Sequence, residues 1–452
     1  MTATRDAIAV VGGGPAGLFG AQQLAESGFA VTVYDRMPSV GRKLLLAGRG
    51  GLNLTHNESM EEFLTRYGSE GSIPPSQILA AVRRFDGQAL RKWADELGAE
   101  TFVGTSGRVF PKALRATPLL RAWLGRLVEL GVRFEGGWEF AGFGPSAPGG
   151  SLPYLQPKDR AISGDQHIAS IEATDSHQHV VLQRVIDVHA SRLSNGDRHE
   201  GRLALNGPVL LALGGATWPR LGADGSWVTL FRRSGIAVHD LRASNCGLRI
   251  AWSEHVTRFA GQPLKNVSLT INGITKRGEL LIDPKGIEGS AAYAIGQAAD
   301  KARSMGIDTV QLDLRADVSL DHLEARLSKR SPKMSIATWL TKSAGLSPQA
   351  IAVLREVYGS TVPTEPSEMA KTIKGVPLRL EGTFPIERAI STAGGVALDD
   401  VDEHFMLRSH AGVFVAGEML DWDAPTGGYL LHACFATGFA AAKGIARYSA
   451  SN

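Results

Sequence analysis

The chain has 452 residues, of which 43% are hydrophobic and 21% charged, and its formal net charge is +3. This composition excludes intrinsically disordered and collagen-like proteins, and at about 150 residues per domain the length predicts two or three domains. The two cysteines, Cys246 and Cys434, lie far apart in the sequence, which excludes a CxxC redox pair, a zinc knuckle and a disulfide framework. The 53 glycines fall in clusters, which indicates backbone packed closely against a ligand.

The amino-terminal segment does not have the pattern of a secretory signal, because Asp6 and a glycine cluster interrupt it. No run of 18 apolar residues follows in the rest of the sequence. We therefore expect a cytoplasmic protein without a membrane-spanning segment.

The first 35 residues have the pattern of a strand, a helix and a second strand. Residues 7–11 form an apolar, largely β-branched run without polar alternation, which is typical of a strand buried on both faces of a parallel sheet. Small and apolar residues recur at helical spacing over 15–27, and residues 30–34 predict a second strand that ends at Asp35. The sequence therefore begins with a predicted βαβ unit.

A glycine motif lies between the predicted strand and helix, where Gly12-Gly13-Gly14-Pro15-Ala16-Gly17 fits the pattern GxGxxG. The first glycine allows a tight turn, the second lets the backbone approach a diphosphate, and the third lets helix and strand pack closely. The helix N-terminus adds N–H groups and a partial positive charge. Asp35 is then placed to accept hydrogen bonds from the hydroxyls of an adenosine ribose. The motif therefore predicts a dinucleotide site.

Four further segments resemble a bacterial family of flavoproteins. Residues 41–55 (GRKLLLAGRGGLNLT) resemble its GRK-LLxSGGGRCN-x-T segment, and residues 211–225 (LALGGATWPRLGADG) resemble its ATGGxSYPxTGxxG segment. Residues 392–396 (TAGGV) and 412–431 (GVFVAGEMLDWDAPTGGYLL) resemble its TxGGV and GLYFAGExLDxDxxTGGYN segments. Because these motifs occur in the same order, the chain resembles the YhiN-type, BaiN-like family of FAD-dependent flavoproteins, which includes a bile-acid Δ4,6-reductase.

The chain departs from this family at two places. Gly50-Gly51-Leu52 stands where many members have Gly-Arg-Cys, and Leu430 replaces the usual Asn after Tyr429. Both changes fall on the expected flavin and substrate surface, so the activity of the reductase member does not transfer directly to this chain. A subfamily with AGRGGLNLTH and APTGGYLL motifs is the closer likeness.

The resemblance implies an α/β fold, with a Rossmann-like FAD-binding domain of the glutathione-reductase type and an inserted α+β domain. The sequence supports this division, because buried strand patterns return at 208–215 and 412–418 after segments of different character. A helix over 113–130 and a strand near 132–140 are also expected in the first part. We predict five segments: the FAD-binding domain, first part (1–141), a β-rich crossover with an irregular insertion (142–206), the FAD-binding domain, second part (207–239), an inserted substrate or cap domain (240–380), and the FAD-binding domain, C-terminal part (381–452).

The expected cofactor is one non-covalent FAD, because no His or Cys is specifically placed for flavin attachment. Arg42 and Lys43 are implied to contact it, and we expect Glu418 and Asp421 to bond ribityl hydroxyls or these two cations. A helix that opens at 427–428 can direct its N–H groups at the flavin N1–C2=O edge, which would favour reduced flavin by roughly 0.3–1 kcal/mol. The predicted cofactor-binding residues are Gly12, Gly14, Pro15, Ala16, Gly17, Asp35, Arg36, Arg42, Lys43, Asn53, Phe140, Gly214, Gly417, Glu418, Asp421, Gly427, Gly428, Tyr429 and Leu430.

The function implied is that of an FAD-dependent oxidoreductase that transfers hydride through flavin N5 to a small-molecule substrate, with enone reduction as one candidate chemistry. The sequence identifies no catalytic acid, although His56, His432 and Tyr429 are candidates by their proximity to motifs. If NAD(P)H is used at all, we expect it to bind only transiently over the flavin face, because the mid-chain segment 214–219 places Trp218 and Pro219 where a second dinucleotide motif requires its last glycine.

Two alternatives from other classes remain open. One is a noncatalytic flavin-binding or sensory protein. The other is a flavin-dependent RNA-modifying enzyme, which rests on a basic stretch between 101 and 128 that contains no acidic residue. We interpret that stretch as a solvated helix face with some neutralisation of cofactor phosphates, so nucleic-acid binding is the less favoured interpretation. The basic residues of the stretch are Arg108, Lys112, Arg115, Arg121 and Arg126.

The histidine pair His177 and His179 has the spacing HxH, which could in principle hold a metal ion. Because no cysteine lies nearby and the carboxylates are scattered, we interpret these residues as loop histidines and predict no metal.

Overall fold

The computed structural model describes residues 7–48, 51–68, 75–145, 178–184, 202–205, 207–331 and 333–452. Within these ranges the helices are α1 (Pro15–Glu26), α2 (Arg42–Ala47), α3 (Met60–Leu64), α4 (Ser76–Arg84), α5 (Gly87–Glu96), α6 (Ala116–Glu129), α7 (Trp227–Arg233), α8 (Glu254–Thr257), α9 (Ser290–Ser304), α10 (Leu320–Leu327), α11 (Ile336–Trp339), α12 (Pro348–Tyr358), α13 (Pro366–Lys374) and α14 (Tyr429–Ser451).

The strands in the same ranges form five sheets. They are β1 (Ala7–Val11), β2 (Ala30–Asp35), β3 (Thr55–His56), β4 (Phe102–Val103), β5 (Arg108–Phe110), β6 (Arg133–Gly136), β7 (Trp138–Pro145), β8 (Gln178–Arg184), β9 (Arg202–Leu205), β10 (Val209–Leu211), β11 (Val238–Ser244), β12 (Leu248–Arg249), β13 (Pro263–Ile271), β14 (Ile274–Asp283), β15 (Gly286–Glu288), β16 (Thr309–Asp313), β17 (Val376–Arg379), β18 (Gly382–Thr383), β19 (Ser391–Val396) and β20 (Val413–Val415).

A five-stranded parallel sheet forms the centre of the fold, in the order β20-β10-β1-β2-β6. The apolar runs predicted to be buried strands supply its middle: β1, β10 and β20 are buried along almost their whole length. Because the strands are parallel, their carboxyl ends meet at one edge of the sheet, which is where such folds bind ligands. The predicted α/β fold with a Rossmann-type domain is confirmed.

Helices α1 and α14 pack on one face of this sheet, and glycines set how closely they approach. A Cβ atom on Gly438 would lie 2.3 Å from the carbonyl oxygen of Ala16, and one on Gly20 would lie 2.4 Å from the side chain of Leu210. Neither position therefore tolerates a side chain without displacement of its neighbours. Gly438 thus lets the middle of α14 pack closely against Ala16 in the first turn of α1.

Aromatic side chains fill the space between α1, α5, α6 and α14. Phe19 lies 5.1 Å from Phe435 between ring centroids, and Trp93 lies 4.8 Å from Trp123. The buried Gln22 accepts hydrogen bonds from both indoles, at 3.0 Å from Trp93 and 2.8 Å from Trp123. Both indole N–H groups are thereby satisfied inside the core, which avoids the cost of burying them unpaired.

A second hydrophobic core lies within residues 248–380 and is built on a seven-stranded antiparallel sheet, in the order β17-β16-β13-β14-β15-β12-β18. Helix α9 packs on this sheet through buried alanines and Ile295. Two antiparallel strands, β11 and β19, carry the chain into and out of this region. This arrangement supports an inserted α+β domain, while the five predicted segment boundaries stay a prediction.

The strand predicted near 132–140 is divided in the structure. It separates into β6, which joins the parallel sheet, and β7, which pairs with β8 in an antiparallel sheet. Gly137 lies between them with a φ of 79°, a left-handed conformation that turns the chain away. Most of the crossover predicted at 142–206, with His177, lies outside the described residues. Within the described ranges, none of the helices combines the length and apolar character needed to cross a bilayer.

Candidate cofactor site

A cleft that is partly open to solvent lies at the carboxyl ends of the parallel strands. Ligands bind at this edge of the sheet in folds of this class. The structure brings together in its lining many residues that the sequence predicted for the cofactor, and they are Gly12, Gly14, Pro15, Ala16, Asp35, Arg36, Arg42, Lys43, Phe140, Gly214, Gly417 and Glu418. Four motifs that are distant in sequence therefore line one cleft, namely the glycine motif and parts of the segments 41–55, 211–225 and 412–431.

The glycine motif has three different environments in the structure. Gly12 has a φ of 109°, and a Cβ atom there would lie 2.2 Å from the carbonyl oxygen of Ala212. A Cβ atom on Gly17 would lie 1.9 Å from the carbonyl oxygen of Gly12. Around Gly14, in contrast, no heavy atom of the described part of the chain lies within 4 Å of the Cβ position. Gly14 is the N-cap of α1. The backbone is therefore open to a ligand at the point where this helix begins.

Asp35 lies at the end of β2 and holds the glycine motif in place. The backbone N–H of Gly13 donates to one carboxylate oxygen at 2.7 Å, and that of Met37 donates to the other at 2.7 Å. Burial raises the pKa of this carboxyl above its ordinary value, although these two hydrogen bonds oppose the rise. Each oxygen keeps a second lone pair, so the carboxylate can still accept the ribose hydroxyls predicted for it.

Arg36 joins three walls of the cleft. Its guanidinium forms an ion pair with Asp224 and lies 3.3 Å from a carboxylate oxygen of Glu139. Both acidic residues line the cleft together with Trp227, whose indole donates to the carbonyl of Gly214 at 3.0 Å. Asp224 falls inside the family-like segment 211–225, but the sequence gives no sign of its role, because its partner Arg36 lies 188 residues away.

Lys43 and Glu418 form the second ion pair of the cleft. The Nζ atom of Lys43 lies 2.5 Å from a carboxylate oxygen of Glu418, whose other oxygen accepts the backbone N–H of Thr392 at 2.9 Å. Three of the family-like segments, which contain these residues, are thus connected directly. Arg42, the neighbour of Lys43, donates to the hydroxyl of Ser39 at 3.1 Å.

The carboxylate of Asp421 is paired with a histidine and not with the cations of the cleft. It lies 2.6 Å from the Nδ1 atom of His239 on β11, and the residue is absent from the lining of the cleft in the described part of the chain. The structure thus pairs Asp421 with His239 instead of Arg42 or Lys43, while the alternative, contact with ribityl hydroxyls, stays a prediction. The reason is that the backbone of Asp421 donates to the carbonyl of Val396, which places the residue beside the connecting strands.

The start of α14 packs against the segment around β3. Gly428, the N-cap of the helix, has a φ of 100°, and a Cβ atom there would lie 2.6 Å from the Cα atom of Thr55. Gly427 also has a positive φ, of 134°. These two glycines let the helix begin close to β3, while Gly17, Asn53, Gly427, Gly428, Tyr429 and Leu430 lie outside the lining that the described residues form. Their role in holding the cofactor stays a prediction.

Tyr429 is hydrogen-bonded within a buried polar cluster. Its hydroxyl donates to the carboxylate of Glu58 at 2.7 Å, and its backbone carbonyl accepts the hydroxyl of Tyr67 at 3.0 Å. Burial and the Glu58 carboxylate both raise the pKa of Tyr429. Burial alone would raise the pKa of Glu58, but hydrogen bonds from Arg66 and Tyr429 lower it below its ordinary value. Tyr429 therefore holds its proton firmly.

His432 is a packing residue. It is fully buried, its Nε2 atom lies 2.8 Å from the carbonyl oxygen of Phe85, and its Nδ1 atom lies 2.7 Å from the hydroxyl of Thr55. Because a carbonyl only accepts, Nε2 carries the proton and Nδ1 accepts from Thr55. Burial lowers the pKa of His432 to about 4. The imidazole is therefore neutral and enclosed, which argues against a role as catalytic acid.

His56 is less buried than Tyr429 and His432, the other two candidates. Its ring stacks on that of Tyr429, with centroids 5.7 Å apart, and its Nε2 atom lies 2.9 Å from the carbonyl oxygen of Ser106. The Nδ1 atom is buried and finds no hydrogen-bond partner among the residues described. It lies 3.8 Å from a carboxylate oxygen of Glu58, and His56 is not part of the cleft lining that the described residues form.

The residues present fit an FAD on two structural observations. The open space at Gly14 gives a diphosphate access to the N-terminus of α1, and Asp35 in the same lining keeps acceptor capacity for the ribose hydroxyls. Cys434 also lines the cleft, and burial raises the pKa of its thiol to about 12. The thiol is therefore protonated and unreactive at neutral pH, which is consistent with a non-covalent cofactor.

Comparisons with known proteins agree with this geometry. A model of the HI0933-like protein Rossmann domain matches residues 6–146 and 170–444. The chain is 23% identical to a ribosomal RNA dihydrouridine synthase of Haemophilus influenzae, over 97% of this chain and 98% of that protein. It is also 23% identical to a 3-dehydro-bile acid delta(4,6)-reductase of Clostridium scindens, again over 97% of this chain and 98% of that protein.

The fold also resembles a solved structure, a 3-ketosteroid delta1-dehydrogenase from Sterolibacterium denitrificans. The TM-score is 0.50 and the identity 11%, and the likeness covers 98% of this chain and 99% of that one. At this identity the comparison shows a shared fold and nothing about the substrate.

Proposed function

The chain belongs to the HI0933-like family, and from that premise we propose that it is an FAD-dependent reductase of carbon–carbon double bonds conjugated to a carbonyl group. The resemblance to the YhiN-type, BaiN-like flavoproteins is confirmed by the family match and by the relatives. The protein is an FAD-dependent oxidoreductase, and its substrate is the part that we propose.

The cleft at the glycine motif is the observation that carries the proposal. When bound there, FAD supplies hydride transfer at its N5 atom. The N-terminus of α1 would bind the diphosphate through N–H groups beside Gly14, and Asp35 would accept the ribose hydroxyls. The ion pair of Lys43 with Glu418 would orient the ribityl region, since both residues line the cleft.

The names of the two relatives support the substrate class. The C. scindens relative is named for a 3-dehydro bile acid with double bonds at positions 4 and 6, and thus for double bonds conjugated to a ketone. The H. influenzae relative is named for the formation of dihydrouridine, in which a ring double bond conjugated to a carbonyl is reduced. Both reactions add hydride to an activated double bond. We propose the same class of reaction for this chain, with a small molecule as the first candidate substrate.

NAD(P)H is proposed as the electron donor, bound transiently over the flavin face. The segment 214–219 supports this, because it leads only into a short 3₁₀ helix that begins at Pro219. Trp218, the residue before that helix, has a φ of 58°. This geometry differs from that of the Gly12 motif, which opens a full helix. Weak binding that saturates only at high NAD(P)H concentration is therefore expected.

RNA is the second candidate substrate, and a surface hairpin favours it in addition to the name of one relative. Phe102 on β4 is 42% exposed, its ring lies 5.9 Å from that of Phe110, and Arg108 belongs to the same hairpin. An exposed aromatic ring beside basic side chains is the pattern used to bind single-stranded nucleic acid. Lys112, however, forms an ion pair with Glu100, which reduces the positive charge there.

Anaerobic reduction followed by reoxidation tests the proposal. The purified yellow protein would be reduced with NADH or NADPH and then mixed with a panel of enones, quinones and oxygen. We expect an enone to reoxidise the flavin fastest and to yield a saturated ketone. Reoxidation by quinone or oxygen alone would contradict the proposal. Binding to unmodified ribosomal RNA that is lost in Phe102→Ala, with formation of dihydrouridine, would favour the second candidate.

A further inference from the structure

The loop that precedes α14 is held by the side chain of one buried asparagine. Asn245 directly follows β11, is 6% exposed and has a φ of 51°. Its Nδ2 atom donates to the carbonyl oxygen of Ala424 at 2.8 Å, and its Oδ1 atom accepts the backbone N–H of Thr426 at 3.1 Å. The side-chain amide of Asn245 therefore forms hydrogen bonds with the backbone of two alternate residues of one loop, as a neighbouring β-strand does.

The same asparagine is tied to the strand that returns from the second core. Its Nδ2 atom also donates to the hydroxyl of Ser391, the first residue of β19, at 2.7 Å. Asn245 and Ser391 thus lie on the two connecting segments, and both are buried beside the loop at 423–426. A shift of either connecting strand would change hydrogen bonds that hold this loop.

Asp423 provides a second connection between the loop and the inserted region. It is 4% exposed, and its carboxylate accepts the hydroxyl of Ser244 at 2.8 Å and the backbone N–H of Ala424 at 2.8 Å. The Nε2 atom of Gln297, which lies on α9, also donates to it. Helix α9 packs on the seven-stranded sheet, so this hydrogen bond joins the second core to the loop.

The loop leads directly into the start of α14, for which the sequence predicts contact with the flavin. Thr426 is followed by Gly427 and Gly428, and Gly428 is the N-cap of α14. A helix N-terminus stabilises a nearby anion, and the effect falls off within the first turn. Small displacements of this terminus therefore change how strongly it favours reduced flavin, which carries negative charge.

We propose that Asn245 and Asp423 are positioning residues through which the inserted domain, by way of Gln297, sets the N-terminus of α14 against the flavin. This rests on the FAD-dependent part of the proposed function and not on the substrate class. The inserted domain thereby affects the redox preference of the cofactor.

Two variants test this inference on the FAD-loaded full chain without substrate. Gln297→Ala removes the hydrogen bond from α9 and keeps a good helix former. Asn245→Asp keeps the shape and the acceptor but removes the donor to Ala424 and Ser391. Gln349→Ala is the matched control, because Gln349 also lies on a helix of the second core and donates to the carbonyl of Pro263 at 2.8 Å, away from the loop.

The readouts are the midpoint potential of bound FAD and hydrogen exchange of residues 423–430. We expect the preference for reduced over oxidised FAD to fall at least fivefold in Gln297→Ala, which is about 20 mV for a two-electron couple. Exchange should become faster in the loop, and Gln349→Ala should match the wild type. If Asn245→Asp does not fold, Gln297→Ala decides the matter alone.

An unchanged potential and unchanged exchange in Gln297→Ala would overturn the inference. This result is distinct from a failure of the proposed function. A wild-type protein that binds no FAD would contradict both, whereas a wild type that binds FAD but reduces no conjugated double bond would leave this inference intact.

Discussion

The Nζ atom of Lys43 lies 2.5 Å from a carboxylate oxygen of Glu418, so the first turn of α2 is joined to the segment that follows β20. Both side chains line the cleft and are largely shielded from solvent. An ion pair in such a place is weakly screened and depends on both partners.

Glu418→Gln is expected to weaken FAD binding about tenfold, because a neutral amide replaces a charge-assisted partner at a cost of about 1.5 kcal/mol. Titration of the apo-protein with FAD measures the dissociation constant. Glu100→Gln is the matched control, since it removes a similar pair with Lys112 that is exposed to solvent. Equal dissociation constants for Glu418→Gln and the wild type would remove this pair from the cofactor site.

Asp35→Ala is expected to weaken FAD binding more strongly. Each charge-assisted hydrogen bond contributes about 1.5–3 kcal/mol, and the change also releases the N–H groups of Gly13 and Met37. Asp95→Ala is the control, because Asp95 likewise accepts from a backbone N–H, that of Thr101, on the surface. A wild-type FAD affinity in Asp35→Ala would place the ribose elsewhere.

The flavin is expected to be released completely by acid. The thiol of Cys434 lines the cleft, but its pKa of about 12, raised by burial, keeps it protonated and prevents attack on a flavin. After acid precipitation, all yellow colour should appear in the supernatant as FAD, in the wild type and in Cys434→Ser alike. Colour retained in the pellet, or release of FMN, would disprove a non-covalent FAD.

The protein should lose stability in acid because of His432. Its pKa is about 4 in the folded protein and about 6.5 when unfolded, so its neutral form stabilises the fold above pH 6.5. That contribution is lost as the pH falls from 6.5 towards 4. Between pH 7.5 and 5.0, the free energy of unfolding of the wild type should fall by about 2 kcal/mol more than that of His432→Gln.

Denaturation in urea at the two pH values measures this difference, with His255→Gln as a control for an exposed histidine. If the wild type and His432→Gln lose equal stability on acidification, His432 is not the buried neutral group described above.

The parallel sheet and the glycine motif could be predicted from the sequence because their signals are local. A run such as 7–11 specifies a buried strand, and the spacing of Gly12, Gly14 and Gly17 specifies three different backbone environments. The family-like segments added the C-terminal part of the cleft, including Gly417 and Glu418. These signals require no knowledge of which residues are neighbours in space.

Contacts between distant segments could not be predicted in this way. For Asp421 the sequence predicts ribityl hydroxyls, Arg42 or Lys43 as partners, but a backbone hydrogen bond to Val396 places it beside His239. The partners of Arg36 depend on how distant segments of the first core pack together, and no local pattern records that. The pairing of Asn245 with the loop at 423–426 depends in the same way on how the connecting strand β11 meets this core. His432 was a candidate acid by motif proximity until its burial was known.

Binding of FAD to a Gly14→Val variant is the most direct test of the cofactor cleft. The space at Gly14 is open within the described structure and its φ is −82°, so the fold should tolerate the side chain at a cost of about 1 kcal/mol at the N-cap. The new methyl groups would occupy the place of the diphosphate. Gly125→Ala is the control, because the same openness surrounds Gly125 on α6, within the described residues and away from the cleft lining.

We predict that Gly14→Val folds but binds FAD at least a hundredfold more weakly, which is roughly 2.7 kcal/mol, while Gly125→Ala binds FAD as the wild type does. A folded Gly14→Val protein with wild-type FAD affinity would contradict the assignment of this cleft as the FAD site.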